Sequence, residues 1–145
     1  MTLALPTVAA TDWIVTELAG LPAMDGVPVF VASAAEETPR PMRDVAGPYV
    51  TLRHFPGEDV RYLGGRLAGS RVVVEVTAWD EGTDVARIGP IVDAFHGAID
   101  AQRGSQGGVA IRSCLRVAPV ERQIAEDNRL FTQLGGEYRV RVAAA

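Results

Sequence analysis

The sequence predicts an α+β fold: a two-layer domain in which a mainly antiparallel mixed sheet of four to five strands carries two helices on one face. Three observations predict it. The elements read along the chain in the order α-β-β-β-α-β-β, and the second and third strands are placed to pair antiparallel. Each strong strand alternates one apolar face with one polar face, as in a sheet covered on a single side. The 145 residues (15.4 kDa) amount to about one domain and are too few for two independent cores. Residues 1–145 are therefore expected to form one domain.

The first helix is predicted over residues 6–18. Pro6 suits a first turn, where its missing N–H has no intrahelical partner. Val8, Thr11, Ile14, Val15 and Leu18 keep helical spacing, Asp12 and Glu17 fall on the other side, and Gly20 is a natural stop. Trp13 lies off this stripe, so it is expected at an edge or against another chain. A short strand follows at 27–33, weakened at its start by Pro28, which cannot donate to a ladder. Residues 34–47 read as a loop, with prolines, mixed charge and no period.

Residues 48–55 (PYVTLRHF) read as a second strand. The segment PGEDVRYLGGRLAG at 56–69 holds four glycines and is longer than the roughly 2–5 residues of a usual hairpin loop. Long loops in compact domains often carry function. The clearest strand spans 70–80, with Val72, Val74, Val76 and Ala78 on one side and Arg71, Val73, Glu75, Thr77 and Trp79 on the other. The clearest helix spans 83–102, where Val85, Ile88, Val92, Phe95 and Ile99 form a stripe. Gly89-Pro90 interrupts it and predicts a kink or a broken first turn. Residues 104–108 read as a turn and 109–118 as a strand. Residues 119–134 are polar and without period. Gly135-Gly136 reads as a turn into a last strand at 137–142.

All 14 basic residues are arginine, which excludes a lysine Schiff base, a P-loop lysine and a lysine general base. The net charge of −4 argues against a chain whose main task is gripping nucleic-acid phosphates. That charge is segregated. Residues 1–39 hold five acids (Asp12, Glu17, Asp25, Glu36, Glu37) and no arginine, whereas the remainder holds 14 arginines against 13 acids. With no basic residue before Arg40 there is no signal-peptide n-region, and no apolar run approaches the ~18 residues of a membrane span. The chain is expected to stay in a cytoplasm or in something assembled there, with no membrane partner.

No catalytic residue, cofactor or metal site is predicted. Ser33, Ser70, Ser105 and Ser113 lie outside any G-x-S-x-G context, and no H-E-x-x-H exists. Cys114 has no second cysteine and reads as a strand packing residue, although Arg112 and Arg116 flank it. Asp93 and His96, three apart on a helix, read as a structural pair. His54 reads as a strand-end residue, and the glycine pairs 64–65, 107–108 and 135–136 as turns.

The arginines are more informative. If the last three strong strands share a sheet, Arg71, Glu75, Arg112, Arg116, Arg139 and Arg141 share its polar face. One reading is a solvated face with cross-strand Arg–Glu pairs of about 0.2–1 kcal/mol each. The other is a subunit interface, since arginine binds carboxylates bidentately and stacks on aromatics. The acidic first 39 residues supply an unlike patch, and head-to-tail contacts between unlike patches close into rings or propagate as fibres.

The run GPYVTLRHF at 47–55, the strand SRVVVEVTAWDEG at 70–82, the helix TDVARIGPIVDAFHGAI at 83–99 and the closing EYRVRV at 137–142 carry a resemblance. In this order, behind an N-terminal helix, they resemble the small tail-completion proteins of long-tailed (siphophage-like) bacteriophages, which include the tail terminators. Gly89-Pro90, inside a helix that is uninterrupted in the family, and Gly135-Gly136, where a His-Gly pair is expected, depart from the pattern.

The resemblance implies an α+β virion protein that is not an enzyme. Such proteins assemble as a hexameric ring that caps the head-proximal end of the tail tube. They end its polymerisation and offer a docking surface to the head–tail connector, and DNA only passes through the lumen. The implied partners are further copies of the chain, the tail tube protein and the connector protein. Self-contacts are expected at the arginine face and the acidic N-terminal region. Tube or connector contacts are expected in the loops at 34–47, 56–69 and 119–134, at Arg61, Tyr62, Arg66, Arg122 and Arg129, because Tyr and Arg are over-represented among hot spots. These five are placed by loop chemistry rather than by family position. Two other readings stay open: another neck or connector protein, and a small ligand-binding or enzymatic α+β domain.

Overall fold

The structure is a computed structural model that describes residues 5–33, 41–42, 44–61, 63–65 and 67–143, and all their side chains except those of Ser33 and Leu67. The order is α1 (Pro6–Ala19), a 3-10 turn (Pro22–Met24), β1 (Val29–Ser33), β2 (Tyr49–His54), β3 (Glu58–Arg61), β4 (Leu67–Glu81), α2 (Gly89–Ile99), β5 (Gln102–Gln106), β6 (Val109–Glu126) and β7 (Arg129–Ala143). The fold is α+β with two helices on one face of a mixed sheet. Among the described residues the sheet has seven strands, in the order β1-β2-β4-β7-β6-β5 with β3 also on β4, rather than the expected four to five. Of the described strand pairs, β1 with β2 is parallel and the others are antiparallel. The two strands the sequence hides are β3 (EDVR) and β5 (QRGSQ). Their side chains are mostly exposed, so backbone pairing alone marks them.

Strand β4 is the spine. Val72, Val74, Val76 and Ala78 are fully buried under the helices, with Tyr138, Val140 and Val142 beside them on β7. From α1 the core receives Ala9, Ala10, Trp13, Ile14 and Leu18, but Val8 of the expected stripe is 47% exposed. Trp13 is 2% exposed and sits inside the core, not at an edge. Its indole fills the space over Gly104 of β5, where a Cβ would lie 2.6 Å from the indole nitrogen.

The break expected at Gly89-Pro90 falls at the start of helix α2, with the residues before it out of the helix. The helix begins at Gly89 with Pro90 in its first turn, preceded by a turn in which the Gly89 amide donates to Val85 O at 2.7 Å. It ends at Ile99, and Ile88, Ile91, Phe95 and Ile99 are buried while Val85 is exposed.

The segment at 119–134 is not a loop. β6 and β7 run through it as one long hairpin. Asp127 and Asn128 turn the chain with φ of 51° and 60°, the left-handed pair that suits a two-residue hairpin turn. Gly135-Gly136 lies inside β7 rather than at a turn. A Cβ on Gly135 would collide with the Val76 carbonyl oxygen, and one on Gly136 would lie 2.6 Å from Arg116 Cδ.

Candidate interaction face of the sheet

With the valines of β4 turned to the helices, its alternate residues point to the other face. Register fixes their neighbours. Arg71 lies opposite Arg141, Val73 opposite Arg139, Glu75 opposite Glu137, and Trp79 opposite Gln133. Tyr49, Thr51 and Arg53 of β2 lie opposite Trp79, Thr77 and Glu75. On β6, Ser113, Leu115, Val120, Arg122 and Ile124 continue the same rows through β7. The outer face therefore has an aromatic end, a polar centre and a basic end.

The polar centre is closed although neither α1 nor α2 lies over it. Glu75 is 1% exposed and Gln133 fully buried. Arg53 Nη1 and Arg122 Nη1 each stand 3.5 Å from a Glu75 carboxylate oxygen. Gln133 Nε2 donates to Thr77 Oγ1 at 2.8 Å, and its Oε1 accepts from Arg122 at 3.1 Å. Thr77 and Thr51 hydroxyls meet at 3.1 Å, and Trp79 Nε1 donates to Thr51 at 2.9 Å. Buried polar groups are tolerated when each finds a partner, and this chain of contacts supplies them across four strands.

At the aromatic end Tyr49 and Trp79 stack at 6.0 Å, and Phe131, Phe30, Ile124, Met42 and Val45 pack around them. The Met42 amide donates to the Tyr49 hydroxyl at 2.7 Å. Burial pushes the Tyr49 phenol above its ordinary range, against the opposing pull of that hydrogen bond.

The basic end is open. Arg139 and Arg141 are exposed, Arg71 is half-buried, and Leu115 beside Arg139 is 44% exposed. Among the described residues the Arg71 Nε is buried without a hydrogen-bond partner. Arg71, Arg139, Arg141 and Glu75 thus share one face, as their alternation predicts. Arg112 and Arg116 do not continue it. The β6–β7 register shifts between Ile111 and Ser113 and again between Arg116 and Ala118. Each bulge adds one residue and inverts the alternation. Arg112 sits in the first bulge at the rim of the basic end, near Ser70, Ser113 and Arg141. Arg116 is turned to the helix side, its stem across Gly136 and its amide donating to Asp100 Oδ1 at 2.9 Å. Glu75 is paired by Arg53 and Arg122 rather than by the arginines of its expected patch.

The same inversion buries Cys114 on the helix side. Burial, with the Asp100 charge adding to it, pushes its thiol up to about 12, against the lowering that flanking arginines suggest. His96 pairs with Tyr138, at 2.8 Å to the hydroxyl, and with Asp100 at 3.6 Å, not with Asp93. Burial raises the Tyr138 phenol above its ordinary range. Among the described residues no group of three or more His, Cys, Asp or Glu is arranged to hold a metal ion. Nor is any described helix long and apolar enough to cross a membrane.

Of the residues expected in loops, Arg61 is exposed on β3, donating to Gly65 O at 2.9 Å with Asp59 3.7 Å away. Tyr62 and Arg66 lie outside the described residues, as does most of 34–47. Arg122 belongs to a strand and faces the polar centre. Arg129 opens β7, grips Glu81 through two hydrogen bonds at 2.9 and 2.8 Å, and lies over the Phe131 ring. That grip holds the Glu81 carboxyl below its usual range.

A solved structure shares this fold. A chain of the virion of a native gene transfer agent (GTA) particle matches with a TM-score of 0.66, covering 96% of this chain and 98% of that one at 17% sequence identity. No protein-family model matches the sequence, and no curated protein matches it. At that identity the likeness is one of fold, and it runs nearly end to end in both chains.

Sequence reading missed Arg53, Thr51, Thr77 and Gln133. The signal available was pairing. Once 48–55 is set antiparallel to 70–80, Thr51 meets Thr77 and Arg53 meets Glu75.

Proposed function

We propose that this chain is a structural component of a phage-like virion, and more narrowly a tail terminator. In this reading six copies close into a ring on the head-proximal end of the tail tube. The ring ends tube polymerisation and presents its other side to the head–tail connector, and DNA passes through its lumen. It is assembled in the host cytoplasm and works without catalysis. The observation that carries the reading is the near end-to-end fold likeness to a chain of a gene transfer agent virion. The sequence resemblance to tail-completion proteins supports the narrower assignment.

The mechanism is steric. The lower side of the ring must match a tube ring well enough to bind, and the upper side must differ enough that no tube subunit adds. Arg61 on β3 and the β6–β7 hairpin tip, with Arg129, are the described candidates for tube or connector contact. The test is genetic. Particles made without this chain are expected to carry tails of uncontrolled length that fail to join heads. Normal-length, head-joined tails in its absence would overturn the reading.

A further inference from the structure

The basic end of the outer face is built against itself. Arg71 and Arg141 stand directly opposite one another and Arg139 lies in the next outward row, while exposed Glu58 of β3, opposite Arg71 on its other side, makes no ion pair with it. Like charges opposed across neighbouring strands repel. None of the three has an ion-pair partner among the described residues, and Arg71 Nε is a buried donor with nothing to donate to. A negatively charged surface landing on this end would relieve both defects.

The patch also specifies what kind of surface. Leu115 is 44% exposed and half-buried Val73 adjoins Arg139, so the patch mixes apolar carbon with guanidinium. That mixture suits a protein surface bearing carboxylates better than a phosphate backbone. The chain itself carries such a surface. At α1, Leu5 (70% exposed), Val8 (47%) and Asp12 follow one another at helical spacing, and exposed Glu17 and Asp25 lie further along. No cation occurs in residues 1–39.

Helix α1 packs on the inner face of the sheet and the arginines lie on the outer face. One copy cannot bring the two together, so the contact has to be between copies and head to tail. The geometry points to the Arg71, Arg139 and Arg141 surface of one copy as the dock for the exposed Leu5–Val8–Asp12 stripe of a second copy. This contact deepens the ring reading above and rests on it.

Charge reversal tests it in the full-length chain. Native mass spectrometry would follow assembly of wild type, of R139E/R141E and of D12R/E17R. All these side chains are exposed, and circular dichroism checks that each variant folds. Each variant alone is expected to lose self-association by roughly tenfold or more. A 1:1 mixture is expected to regain it, because each altered surface then meets one of opposite sign. Variants that assemble like wild type, or a mixture that fails to recover, would overturn the contact while leaving a wild-type ring intact. Unchanged assembly with loss of duplex-DNA retention would assign the face to nucleic acid and overturn it too. Wild type that stays monomeric and leaves tail tubes uncapped would defeat the ring reading itself.

Discussion

Gln133 Nε2 of β7 donates to Glu75 Oε1 of β4 at 3.3 Å, and both side chains are withdrawn from water on a face that neither α1 nor α2 covers. The sheet thus has a core on each side: apolar beneath the helices and polar on the outer face. The outer one holds β2, β4, β7 and β6 in one register, and it separates the aromatic end from the basic end.

Removing the carboxylate should expose how much that centre contributes. Glu75→Ala leaves Arg53 without its carboxylate and takes one partner each from Arg122 and Gln133, and is expected to cost about 2–4 kcal/mol in urea unfolding. Glu75→Gln keeps one of the two acceptor oxygens and the volume, and should cost less than Glu75→Ala.

Gly135 is required for steric reasons, because a Cβ there meets the Val76 carbonyl and the Thr77 backbone rather than a flexible side chain. Gly135→Ala should destabilise by about 2–3 kcal/mol or prevent folding. Gly20→Ala, with nothing within 4 Å of its Cβ, is the control and should change the urea midpoint little.

Trp13 is a core residue. Trp13→Ala should cost about 3–5 kcal/mol in the same measurement. A residue that packs only against another chain would give a much smaller loss in the monomer.

Cys114 should behave as a buried, neutral thiol. It is expected to resist a thiol reagent at pH 8 until the chain is unfolded. Its folded pKa is raised from 9.0 to about 12, so the unfolded state releases this proton first as pH rises. The stability attached to the group is fully present below pH 9 and is lost as pH climbs toward 12. Cys114→Ala should flatten that alkaline slope in pH-dependent unfolding.

The sequence is legible where burial is apolar and regular. The Val72–Val74–Val76–Ala78 alternation and the Ile88–Phe95–Ile99 stripe place β4, α2 and the helix-covered face. It is illegible where burial is polar. Thr132 and Gln133 are buried through hydrogen bonds and Arg122 lies across Gln133 and Glu75, so 119–134 carries no hydrophobic period although it is strand almost throughout. Bulges are the second blind spot. Alternation alone unites Arg71, Arg139 and Arg141 correctly. The first extra residue in β6 puts Arg112 at the rim and turns Arg116 to the opposite face, the second restores the alternation from Ala118 on, and neither insertion leaves a mark in composition. Arg53–Glu75 was within reach of strand pairing, whereas Gln133 depended on a strand that periodicity does not reveal.

Tube growth tests the central claim most directly. Tail tube protein would be polymerised with and without the purified chain, and imaged by negative-stain electron microscopy for tube length and end structure. Rings of this chain at one end of each tube, with growth halted at that end, are predicted. A chain that remains monomeric and leaves the tube-length distribution unchanged would contradict the account.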